Sequence, residues 1–297
     1  MRKRLPIVLG IILVFITLWL LITPNRGISN LVERLDNISY DVQLTTRVFT
    51  EKFKPESPVA IIDIDEKSLK AEGHWPWPRK KVAELIDQLN KQGATVIALD
   101  IIFPEKEDNI AEVVTGELQK RNIDTQTISV INKNKMLFDG DSVFAKSLLN
   151  SQAVLSTVFT PDSENINTLP EPVLRLSNEE KNQLQIFNRT GYIASISLLQ
   201  QAAKYTGFIN IFHDNDGVIR RAPLIMEYHG GIYPALSLQA VMLFLGESIS
   251  LNTQEYNGSP RLEGIKLGSN IIPTDEKRTS LNSIYRSKLY FSLLFCD

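Results

Sequence analysis

Three carboxylates, Asp63, Asp65 and Asp100, stand where chemistry would be expected in this 297-residue chain. Asp63 and Asp65 close the apolar run Val59 to Ile64, and Asp100 closes a second run, Ala94 to Leu99. Hard carboxylate oxygens suit Mg²⁺, and paired Asp residues can divide the work of nucleophile and acid/base. Between the runs lies His74-Trp75-Pro76-Trp77-Pro78-Arg79. Its prolines fix two φ angles and hold two indoles beside a guanidinium in a rigid turn, which can line a pocket or cover a core edge. Asp63, Asp65, Trp75, Trp77, Arg79 and Asp100 therefore form the candidate ligand-binding set. Each also has a plainer use: Asp65 as the cap of a helix over 66–71, the indoles as a lid on the core, Arg79 as the partner of one of the acids.

The elements that must position these residues follow from the hydrophobic pattern. Two Val/Ile/Ala runs separated by the helical stretch from Arg79, with Val82, Leu85, Ile86 and Leu89 on one face, predict a βαβ unit with buried parallel strands and a right-handed crossover. Ligands in such sheets sit beyond the carboxyl ends of the strands, where all three acids fall. Further on, Asp141 is placed to cap a helix containing Val143, Phe144, Leu148 and Leu149, followed by a strand over 153–159. The stretches 105–135 and 161–190 are polar and read mainly as loops, with a helix near 110–120. Runs 207–212 and 218–228 flank His213-Asp214-Asn215-Asp216-Gly217, a hairpin signal. Pro234 opens a core helix ending near Gly246, and 262–272 predicts a last hairpin turning at Gly268. The fold class expected is α/β: a mixed, mainly parallel sheet flanked by helices, with an antiparallel extension.

Composition narrows the function. A net charge of -2 and a pI near 6.0 argue against nucleic acid as the partner, which would need a concentrated cationic face. No G-x-G-x-x-G, P-loop or G-x-S-x-G is present, and the single cysteine, Cys296, with three histidines makes no set of metal-ligand spacing. No catalytic residue, metal site or cofactor is assigned.

Arg2, Lys3 and Arg4 precede an uncharged run from Leu5 to Ile22, just long enough to span a bilayer as one helix. The charge asymmetry predicts a cytoplasmic tip at 1–4, an anchor at 5–22 and the bulk of the chain outside the cytoplasm, at the inner or plasma membrane. From Ile28 to about Phe53, apolar residues at helical spacing predict an amphipathic helix leaving the membrane.

Two resemblances bear on this. Asp63-Ile64-Asp65 after an apolar strand resembles the first motif of the haloacid dehalogenase-like phosphatases, which implies an Mg²⁺-dependent phosphohydrolase using Asp63 and Asp65. Lys67 stands where that motif has Thr or Val, and Ser68 arrives one residue late. Val59 to Leu69, then Gly73-His-Trp-Pro-Trp-Pro-Arg79, then Gly93 to Glu105 together resemble the CHASE2 extracytoplasmic sensor domains. Tyr40-Asp41 matches a further element, with Gln43 where Arg is common and Arg47 one turn on; 207–212, 216–224 and 233–238 match the second half. This resemblance implies a sensor over 28–277 for an unknown small ligand, a possible homodimer, and no catalysis of its own. The output module that such receptors carry after further spans, a nucleotide cyclase or a kinase, is not recognised here. Residues 278–297 depart from the family pattern, as a frameshift or premature stop would produce.

Overall fold

A computed structural model describes residues 10–15, 17, 26–50, 58–121, 125–184, 186–214, 216–256, 258–274 and 279–281. The chain divides into two compact units, Met1–Ala60 and Ile61–Asp297. In the first, residues 10–15 and 17 are helical, and helix α1 spans Arg26–Thr50, with Leu35, Ile38 and Val42 exposed along one face. Among the described residues no helix is long and apolar enough to cross a membrane. The rest of the expected span at 5–22 lies outside the described residues, so the anchor stands on its sequence alone.

Where the chain passes from the first unit to the second comes a departure from expectation. Val59 to Ile64 joins no sheet, and Val59, Ile61 and Ile62 are exposed. Apolar β-branched composition encodes a preference for extended backbone but not a partner strand, and none is supplied here. Helix α2 (Glu66–Glu72) follows, then α3 (Arg79–Lys91), whose Val82, Ala83 and Ile86 are buried as the spacing requires. The second predicted strand survives as β1, only Ile97–Ala98.

Helices α4 (Ile110–Lys120) and α5 (Thr125–Lys133) occupy the polar stretch, the second of them unanticipated. Helix α6 (Gly140–Leu149) leads into β2 (Ala153–Thr160), the hub of the sheet. Short strands β3 (Asn165–Ile166) and β4 (Leu174–Arg175) and helix α7 (Asn178–Gln183) interrupt the second polar stretch, so it is not loop throughout, and strand β5 (Gly191–Ile193) follows it. Helix α8 (Ser197–Ala203) and β6 (Tyr205–Phe208) complete this half. Strand β2 pairs in parallel with β1 and β6 and antiparallel with β5, which pairs in parallel with β3. The mixed, mainly parallel sheet is therefore present, centred on β2 and not on Val59 to Ile64.

The antiparallel extension comes from later strands. The expected hairpin around 213–217 is a turn without strand pairing: its carboxylates are taken by Arg220 and Arg221 instead. Strand β7 is Arg221–Pro223, and the hairpin is β8 (Ile225–Tyr228) with β9 (Gly231–Pro234), turning at His229–Gly230. Helix α9 (Leu236–Leu245) ends at Gly246, in the left-handed region. Strands β10 (Ile249–Tyr256), β11 (Ser259–Leu267) and β12 (Asn270–Pro273) form an antiparallel sheet whose last turn is at Gly268, as expected, while β10 was not foreseen. Thr279–Leu281, inside the stretch judged discordant, forms β13 and pairs with β7; residues 282–297 lie outside the described set.

Two apolar clusters result. One joins α3, α6 and α8 through Ile86, Phe144 and Leu199; the other surrounds α9 with Ile225, Ile232 and Ile265. Strand β2 serves both, Leu155 in the first and Phe159 in the second. Its buried hydroxyls are satisfied by neighbouring backbone: Ser156 donates to the Leu99 carbonyl and Thr157 to that of Ile193.

Candidate functional site

Helix α3 begins at Arg79 after Pro78, whose side chain cannot cap the free amides of the first turn. A carboxylate from 28 residues away does so: the Arg79 amide donates to Glu107 Oε1 at 2.8 Å. Negative charge there also complements the helix dipole. The Arg79 side chain then gathers the loop that follows β1. Its Nε donates to Asp141 Oδ1 at 3.2 Å, its Nη2 to the Glu105 carbonyl at 3.1 Å, and its guanidinium lies 4.3 Å from the centre of the Phe103 ring. Asp141 Oδ2 accepts from the Glu107 amide at 2.9 Å, closing the ring of contacts. The Arg79 and Asp141 side chains are 15% and 7% exposed, so this pair is largely screened from water and salt.

Gly140 lets the start of α6 come close to the clasp. A Cβ there would lie 3.2 Å from the Arg79 Cβ and collide with the Glu107 carboxylate, which would have to swing away from the α3 cap.

The other candidate residues are placed as follows. Asp65 caps α2: its Oδ1 accepts from the Ser68 amide at 2.8 Å and the Ser68 hydroxyl at 2.7 Å, and that hydroxyl bond, then the amide, holds its carboxyl below the usual range. Trp77 is buried in the first cluster and donates Nε1–H to the Gly73 carbonyl at 2.8 Å. Trp75, after which the peptide bond to Pro76 is cis, is 41% exposed, 6.1 Å from the Trp77 ring. Lys81 lies over Trp77 at 5.1 Å and pairs with Glu72 at 2.7 Å. Asp63 and Asp100 are exposed. Among the described residues no group of three or more His, Cys, Asp or Glu could hold a metal ion.

The structure thus brings together Arg79, Asp141, Glu107 and Phe103, of which only Arg79 was in the predicted set. Asp141 was expected to cap α6, but Asp139 does: it accepts from the Ser142 amide and hydroxyl at 3.1 and 2.6 Å. Asp139-x-x-Ser142 repeats the spacing of Asp65-x-x-Ser68, a signal that would have freed Asp141 for another role. The partner Arg79 chose is none of the three strand-end acids.

No curated protein and no solved structure matches the chain. The model of the CHASE2 domain matches residues 11–293, and the Trp-Pro-Trp-Pro-Arg turn, the clasp it leads into and the strands around β2 all fall within that match. CHASE2 domains are extracytoplasmic sensor domains, and this chain belongs to the CHASE2 family.

Proposed function

We propose that this protein is an extracytoplasmic ligand sensor, held at a membrane by its N-terminal segment and without catalysis of its own. The CHASE2 match over residues 11–293 carries the reading. Arg2, Lys3 and Arg4 before the uncharged Leu5 to Ile22 support one span with a cytoplasmic N-terminus.

A sensor works by shifting between two arrangements, and a ligand moves that balance only by its difference in affinity for them. In this reading the exposed Asp63, Trp75 and Asp100 offer contacts, while Asp65, Trp77 and Arg79 hold the frame behind them. The Arg79–Asp141 clasp ties the Trp-Pro turn to α6, so a ligand that displaced the turn would strain the clasp. Signalling through one membrane helix calls for a second copy, which makes a homodimer part of the proposal.

The test is topological. A reporter fused after Asn30 that works only outside the cytoplasm should be active, and one that works only inside should be silent. The reverse pattern would end the reading.

A further inference from the structure

A cavity of about 820 Å³ lies among α8, α9 and the segment before β4, within the Ile61–Asp297 unit and in the size range of small-molecule sites. Pro234, Ala203 and Met242 give it an apolar wall. Set in that wall is Gln239, only 4% exposed, whose side-chain amide has no hydrogen-bond partner among the described residues. Among the described residues that amide is not one of the sealed, unpaired groups; it opens onto the cavity, where a hydrogen-bonding guest can take the place of water. On helix α8, Gln200 Oε1 is buried without a partner, its Nε2 donating to the carbonyl of the lining residue Tyr205 at 3.4 Å.

Two buried polar groups of the lining are uncharged and occupied. Thr206 Oγ1 donates to the Leu155 carbonyl at 3.0 Å, and the Tyr233 hydroxyl donates to that of Pro170 at 3.3 Å. Burial pushes the Tyr233 phenol up to about 12, so it stays neutral at physiological pH. Charge is confined to the exposed edge, at Lys204, Glu247 and Glu171, the last paired with Arg175 at 2.6 Å. An ionised head group seated on the floor would lose its water and meet no counter-charge.

We propose that this cavity binds an uncharged small molecule bearing an amide-like donor–acceptor pair on an apolar ring or chain, with Gln239 recognising that pair. The cavity exists whether or not the chain signals, so its test and the topology test above fail independently.

Met242 lines the cavity, whereas Met226 is fully buried elsewhere and Met136 is exposed, so methionine methyl resonances separate the site from its surroundings. Benzamide titrated into the full chain, labelled at its methionine methyls, should move the Met242 signal saturably with a Kd of about millimolar or tighter. Met136 should not move, and benzoate should give no saturable shift. Gln239→Leu should weaken benzamide binding about tenfold, while its melting temperature in the absence of benzamide stays unchanged, because the amide it removes holds no other part of the fold. A Met242 signal unmoved by benzamide at about 10 mM, equal binding of benzoate, or undiminished binding by Gln239→Leu would overturn the proposal, leaving water as the partner of Gln239.

Discussion

Arg79 and Asp141, 62 residues apart in the chain, meet at 3.2 Å and tie the start of α3 to the start of α6. Both ends of the contact are nearly buried, and both residues hold further groups: Arg79 the Glu105 carbonyl, Asp141 the Glu107 amide. Removing either leaves the other's charge in a place with little water.

Arg79→Ala and Asp141→Asn should therefore each cost about 2–4 kcal/mol in denaturant unfolding. The double variant should cost less than the sum, with a coupling of about 1–2 kcal/mol. Additive costs would mean the pair contributes packing and not a coupled interaction.

Two glycines separate tolerant from intolerant close approach. At Gly140 a Cβ meets the end of the Glu107 side chain, which can swing away at the expense of the α3 cap; at Gly207 it meets the Leu236 Cα and backbone N, at 2.4 and 2.7 Å. Gly207→Ala should be the more damaging, at about 3 kcal/mol or more, against about 1–2 kcal/mol for Gly140→Ala. Equal melting temperatures for the two variants would contradict this packing.

Asp214 accepts from two arginines, Arg220 at 3.1 Å and Arg221 at 2.7 Å, and its side chain is 9% exposed. Asp216 shares only Arg220 and is 41% exposed. Asp214→Ala should cost about 3 kcal/mol, because it takes a buried carboxylate from two guanidiniums at once, and Asp216→Ala clearly less. The ranking is read from paired chemical denaturation curves.

Acid should remove the stabilisation that the capping and turn carboxylates contribute. Asp65 is lowered first by the Ser68 hydroxyl, and Asp216 is lowered to about 2, first by its bond from Arg220. A carboxylate with a depressed folded pKa stabilises the fold fully above its unfolded value, near 3.8 for both, and that stability is lost as pH falls through the folded value. The stability gap between the natural protein and Asp216→Asn should be flat near neutrality and shrink from about pH 4 toward 2. The gap to Asp65→Asn should shrink on the same acid side. A gap that widened on acidification would reverse the sign and refute the assignment.

Helices with a clear apolar face and local caps were legible without coordinates. Val82 and Ile86 sit one turn apart and are buried; Asp65 caps through Ser68 only three residues on; Gly246 stops α9 in the left-handed region. These depend on neighbours within a few positions, and so does the turn at Gly268. The family motifs were equally visible, because residue order alone carries them.

Pairing was not. The run Val59 to Ile64 has strand composition yet joins no ladder, while Thr206 and Leu155, unremarkable in the chain, become neighbours in the parallel pair β2–β6. Nor did anything local mark Asp141 over Asp65 or Asp100 as the partner of Arg79, or set Gln239 unpaired beside a cavity. Local sequence determines which backbone shapes are cheap and which faces are apolar; which strand completes a ladder and which charge is shielded are settled only when distant segments compete for the same buried space.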